Sequence, residues 1–158
     1  MRDQRDKHDK HDNRAVDYGG LRLFAGYHMK RAYNVLRSDL TRQLEPLGLR
    51  ITTFSTLMLI VENPGIRLSD VALALEIERP NMVVILDDLE RQGWISRERV
   101  ETDRRAYALI STPAGRRVCE HAAALGKARE QRLLNGLSDG EKQQLISALT
   151  KIERSVEA

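Results

Sequence analysis

The sequence predicts a mainly α-helical fold interrupted once, by a small β-hairpin. Three observations carry this. Apolar residues recur every three or four positions through most of the 158-residue chain, the period of a half-buried helix. One short stretch, 94–110, switches to alternation, the period of a strand. Proline, glycine and capping residues stand where the periodic stretches start and stop. The length suits one domain with extensions.

Residues 1–17 hold five cations, five anions and only Met1, Ala15 and Val16 as apolar residues. Such a stretch buries too little to offset its ordering entropy, so a mobile arm is expected, followed by one domain at 18–158. From Gly20 to Leu47, Leu21, Phe24, His28 or Ala25, Ala32, Val35 or Leu36, Leu40, Leu44 and Leu47 form one stripe, which predicts a single amphipathic helix of about seven turns. Pro46 and Gly48 end it. Phe54–Val61 is a second apolar segment, closed by Asn63-Pro64-Gly65. Leu68–Leu75 predicts a short helix with Ser69 as N-cap and Val71, Ala72 and Leu75 inward. Pro80 fits the first turn of the next helix, which runs through Met82, Ile85, Leu86 and Leu89 to Gly93. Two short helices so closely joined have the spacing of a helix-turn-helix.

Trp94–Val100 and Ala106–Ile110 are β-rich runs around the polar tip Glu101–Arg105, which predicts a hairpin. A two-stranded hairpin is marginal alone, so it must lean on the helices, with Trp94 the expected anchor. Thr112-Pro113 opens another helix, with Val118, Ala122, Leu125 and Leu133 inward. Ser138 and Glu141 form a capping box for the last helix, whose stripe is Leu145, Leu149, Ile152 and Val156.

Composition removes several functions. No run approaches 18 apolar residues, so no membrane span is expected. The N-terminus has no apolar signal core, and a cytoplasmic protein is expected. The single cysteine, Cys119, excludes an internal disulfide framework and a Cys-rich zinc site. His8 and His11 are too few to fix a metal on a floppy arm. No Ser/His/acid set or Gly-rich phosphate loop occurs. No catalytic residue, cofactor or metal is therefore expected, and the chain does not read as an enzyme.

The formal net charge of +3 says little until it is resolved by segment. Residues 21–63 carry a net +3, residues 64–96 a net −3 and residues 97–117 a net +3. All cations of the last segment are arginines: Arg97, Arg99, Arg104, Arg105, Arg116 and Arg117. Arginine suits phosphate and groove contacts. A salt-bridged surface hairpin using Glu98, Glu101 and Asp103 is the rival reading. The helix-turn-helix spacing just before the hairpin favours double-stranded DNA as the partner.

The stretch Leu86-Asp-Asp-Leu-Glu-Arg-Gln-Gly-Trp-Ile-Ser-Arg97, followed by Asp103-Arg-Arg-Ala-Tyr-Ala-Leu-Ile-Ser-Thr-Pro-Ala-Gly-Arg116, resembles the MarR family of dimeric winged-helix regulators. The likeness extends over about residues 20–156; these two stretches are its most specific part, and the Asp103-Arg104-Arg105 tip at its distance from Gly93 makes the signal strong. It implies a winged helix-turn-helix lobe at 50–112. It also implies an intertwined homodimer built from helices at 18–48 and 113–158. On this resemblance Arg79, Pro80, Asn81 and Met82 would reach base edges, with Asn81 suited to adenine and Met82 open to a second reading as partly core. Ser69 would meet a phosphate or only cap its helix. Arg97 and Arg99 would line the wing. Arg104 or Arg105 would enter a minor groove, held by Asp103.

The sequence departs from the family pattern in places. Val84 stands where relatives often carry a base, and Asp87 and Asp88 follow it. Contact with thymine methyls, rather than arginine–guanine readout, is therefore expected. Glu76 occupies a turn position where glycine is common. Arg50 replaces a capping threonine, for which Thr52 or Thr53 could substitute. Relatives commonly release DNA on binding a small anionic, often aromatic, effector. Phe24, Tyr27, His28, Arg31, Phe54 and Met58 are the candidate effector residues, with Tyr33 near them; the other reading of Phe24, Phe54 and Met58 is as core. The alternatives are a cysteine-based redox regulator using Cys119 and a winged-helix module that binds protein.

Overall fold

The computed structural model describes residues 17–100 and 103–155. The expected arm up to Val16, the tip residues Glu101 and Thr102, and Val156 lie outside them, as do the side chains of Asp103, Arg104 and Arg105. The chain divides into two units, 1–34 and 35–158.

The elements in order are α1 (Ala25–Leu44), α2 (Ile51–Glu62), β1 (Ile66–Arg67), α3 (Leu68–Ala74), α4 (Arg79–Arg91), β2 (Ile95–Val100), β3 (Asp103–Ser111), α5 (Pro113–Leu133) and α6 (Asp139–Arg154). The single helix expected over 20–47 is instead three pieces. A 3₁₀ turn at Leu21–Leu23 precedes α1, with Phe24 extended between them, and a second 3₁₀ turn at Glu45–Leu47 follows. Leu21, Leu23 and Phe24 are all exposed, so no packing compels that first turn into α1. Pro46 lacks the N–H of a continuing helix, and Gly48 closes the segment at φ +69.

The hairpin is the larger part of a three-stranded antiparallel sheet of order β1-β3-β2. β1 pairs Ile66 with Leu109 and Arg67 with Ala108. This corrects the reading of Ser69 as an N-cap. The ladder holds the backbone extended up to Arg67, so α3 starts at Leu68, and Ser69 sits inside the first turn with its hydroxyl donating to Asp70 Oδ1 (3.1 Å). Neither threonine caps α2: Arg50 is its N-cap, without a side-chain hydrogen bond, and Thr53 is buried.

The core lies between α2, α3, α4, the sheet and the start of α5. Leu57, Ile60, Val71, Met82, Leu86 and Leu89 are fully buried there. A second cluster joins Leu44, Leu49 and Ala122. Trp94 packs against both clusters, as expected of the hairpin's anchor. Thr112 caps α5 by accepting from Gly115 N (3.0 Å), and its hydroxyl donates to the Gly93 carbonyl (2.7 Å). The capping box of α6 is formed, and Ser138 holds the Glu141 carboxyl below its ordinary pKa. Leu133, expected inward, is exposed. Leu145, Leu149 and Ile152 are 42%, 42% and 49% exposed, and no residue of α6 is buried. Among the described residues no single helix is long and apolar enough to cross a membrane.

Candidate nucleic-acid interface

α3 and α4 are joined by a tight turn through Glu76, which adopts φ +52. That left-handed backbone costs a non-glycine residue about 1–2 kcal/mol. Ile77 N donates to the Ala72 carbonyl (2.9 Å), which closes the end of α3 just before α4 begins. α4 then begins at Arg79-Pro80, with Glu78 as an N-cap that makes no side-chain bond. Its first-turn N–H groups and positive dipole end are left for an anion.

Around that helix start the structure forms a cleft of about 250 Å³. Leu86 and Leu109 form its apolar floor, and Arg67, Ser69, Arg79, Arg97 and Tyr107 line it. Ser69 and Arg79 thus come together, as neighbours in one basic cleft. Arg67 and Tyr107 are the residues that sequence reasoning missed. Arg67 sits one strand residue before α3, and Tyr107 is 44% exposed on β3 opposite Arg99. Guanidinium and hydroxyl donors beside a helix N-terminus suit phosphate oxygens.

Pro80 and Asn81 are exposed at the start of α4. Met82 is not. It is fully buried, and Thr56 Oγ1 donates to its sulfur (4.0 Å). The assignment of Met82 to base contact is therefore corrected: on a helix whose inward face is Met82, Leu86 and Leu89, residue 82 points into the core. Val84, on the opposite side, is 67% exposed.

Arg97 is also reassigned. It projects from β2 back onto α4, where it pairs with Asp87, and its Nε lies 3.3 Å from Glu90 Oε2. That buried Nε makes no hydrogen bond. With its side chain only 25% exposed, Arg97 neutralises the acids of α4 and ties strand to helix rather than projecting toward a partner. Asp88 is paired with Arg91. Arg99 is exposed.

The candidate effector residues fall in both units. Tyr27, His28 and Arg31 form one cluster. Arg31 donates to the Tyr27 hydroxyl (3.1 Å), and its guanidinium carbon lies 5.7 Å from that ring's centre. The hydrogen bond raises the Arg31 pKa further above its ordinary value. Tyr18 stacks on Tyr27 at 6.3 Å, and the His28 ring meets Tyr27 edge-on at 5.6 Å. His28 Nε2 donates to the Arg22 carbonyl (2.9 Å). Phe24 is 66% exposed and Tyr33 59%. Phe54 and Met58, in the second unit, pack half-buried against the core. Cys119 is buried in that core, and burial pushes its thiol pKa up, away from the reactive thiolate.

Comparison with known proteins gives this interface its context. A model of the MarR family matches residues 47–106, the span from the 3₁₀ turn after α1 into β3. A transcriptional repressor, CouR, solved bound to a 23-mer DNA duplex, is 35% identical, with a TM-score of 0.84 over 89% of this chain and 99% of that one. CouR from Rhodococcus jostii RHA1, solved bound to p-coumaroyl-CoA, is 28% identical, with a TM-score of 0.73 over 80% of this chain and 90% of that one. A Thauera aromatica protein, assigned to the hcr operon as its transcriptional regulatory protein, is 29% identical over 82% of this chain and 78% of its own length. The helix pair, the sheet that flanks it and a likeness over nearly the full length of a DNA-bound repressor lead to one conclusion: this chain belongs to the MarR family of transcriptional regulators.

Proposed function

We propose that this chain is a homodimeric repressor that binds palindromic double-stranded DNA in the cytoplasm and releases it when a small aromatic or anionic effector binds. The observation that carries the reading is the exposed start of α4 beside the cleft lined by Arg67, Ser69 and Arg79. Arg79, Pro80 and Asn81 face the bases, Ser69 and Arg67 hold phosphates, and the wing residues Arg99, Arg104 and Arg105, with Asp103, follow the backbone into the flanking groove. Residues 50–112 form the DNA-binding lobe. The segments 18–48 and 113–158 pair two copies, which gives the apolar side of α6 something to bury against.

The effector is proposed to be an aromatic acid or its CoA thioester. Support comes from the Tyr27–His28–Arg31 cluster, which offers ring faces and a cation, and from the thioester bound by the similar CouR. The ligand must favour the released state by its own differential affinity. Buried Cys119 with its raised pKa favours a ligand over a thiol as the switch.

Fluorescence anisotropy on DNA flanking the gene tests this. Binding with a steep salt dependence is expected, reversed by p-coumaroyl-CoA or a related thioester. Affinity unmoved between low and high salt would sink the DNA reading. Thermal shift then tests effectors independently of DNA. A ligand at 100 times its Kd adds about 2.7 kcal/mol; a panel of aromatic acids and thioesters that moves nothing would sink the effector class.

A further inference from the structure

We infer that Val84 is the residue of α4 that selects the operator sequence, and that it does so by packing on the 5-methyl group of a thymine. The inference rests on the DNA-binding reading and deepens it.

α4 has one apolar face, and Val84 is not on it. Met82, Leu86 and Leu89 are fully buried, and Ile85 packs against the same core, while Val84 stands 67% exposed. A β-branched residue there gains no burial and loses rotamer freedom in the helix, so the folded monomer draws no stability from it. Its neighbours one turn back are Pro80 and Asn81, at i−4 and i−3, both exposed. The three form one ridge beside the basic cleft.

The chemistry of that ridge is narrow. A valine side chain has no donor or acceptor, so it cannot read a hydrogen-bonding edge. In the major groove the apolar group open to it is the thymine methyl. Asn81, beside it, matches the donor and acceptor of the adjacent adenine. Val84 and Asn81 together favour A·T pairs under the first two turns of α4. Leu73 is more exposed, at 81%. It lies on the seven-residue α3, the supporting helix of the pair, which crosses the backbone rather than lying along base edges.

The test uses the full-length protein and duplexes enriched from a random-sequence pool. In an enriched duplex each thymine is replaced singly by deoxyuridine, which lacks only the 5-methyl group, and binding is followed by fluorescence anisotropy. One thymine per half-site is expected to show about fourfold weaker binding as deoxyuridine, the value of one buried methyl. Val84→Ala is expected to lose a similar factor on the thymine duplex and to bind the two duplexes alike. Its thermal midpoint should match the parent, since the site is exposed. Deoxyuridine tolerated at every position, or a methyl effect undiminished in Val84→Ala, overturns the inference while leaving DNA binding intact. No enrichment from the pool overturns the DNA reading itself, and the inference with it.

Discussion

Gly115 admits no side chain. A Cβ there would lie 2.0 Å from the Trp94 carbonyl oxygen, so α5 reaches the hairpin only through glycine. Gly115→Ala is expected to destabilise by about 3 kcal/mol, the upper end of what overpacking usually costs, read as a fall in the urea midpoint. The Thr112-Pro113-Ala-Gly115 pattern was legible as a helix start, but not this second use of its glycine. Glu76 makes the opposite case. Its φ of +52 means that Glu76→Gly relieves left-handed strain against a smaller entropic cost, and a gain of about 0.5–1 kcal/mol is expected. A thermal midpoint that falls would show the strain is not there. Met82 shows where residue-level reading fails. A methionine beside Asn81 at a helix start suits either core or groove, and only the rotation of α4 on its neighbours assigns it to the core.

Among elements, the sheet and α4 act as one piece through Arg97. Its two carboxylate partners lie ten and seven positions earlier in the chain, across the Gly93 turn. The sequence showed the arginine cluster but not that one member faces inward. Arg97→Gln is expected to weaken DNA binding, by leaving Asp87 and Glu90 uncompensated, without changing the slope of affinity against salt. Arg104→Ala with Arg105→Ala is expected to reduce that slope by about 2, one per lost phosphate contact. Equal slopes for the double variant and the parent would remove the wing from the interface. β1 escaped notice for a simple reason: two residues are too few for an alternating pattern, and their strand character comes from pairing with Leu109 and Ala108.

For the whole molecule, the part least legible was what joins distant helices. Asp39 on α1 is 8% exposed and accepts two bonds from Arg129 on α5, Nη2 at 2.6 Å and Nε at 3.1 Å. The Arg129 guanidinium holds the Asp39 carboxyl below its ordinary pKa. Because the folded-state value is the lower one, the pair stabilises above the ordinary carboxylate range. That contribution is lost as pH falls through the depressed folded value. Asp39→Asn is thus expected to lower the urea midpoint at neutral pH, with the gap to the parent closing in acid. A gap constant with pH would show that charge pairing is not the cause. The apolar side of α6 belongs to this scale too. Leu149→Asp is expected to sediment as a monomer where the parent sediments as the proposed dimer, while leaving the lobe's helical signal in place.

The amino-acid order by itself determined where most of the helices lie, the caps at Thr112 and Ser138, the hairpin and the segregation of charge, because each is set by neighbours within a turn or two. Those local signals placed Pro80 at a helix start, Thr112 and Ser138 at caps, and the arginines beside the wing. Only the tertiary structure decided which way each face points. It buried Met82, turned Arg97 inward, paired Asp39 with Arg129 across 90 residues, and left Val84 facing out. The physical reason is that orientation follows from packing against elements distant in the chain, and a period of three or four residues marks a face without naming what lies opposite.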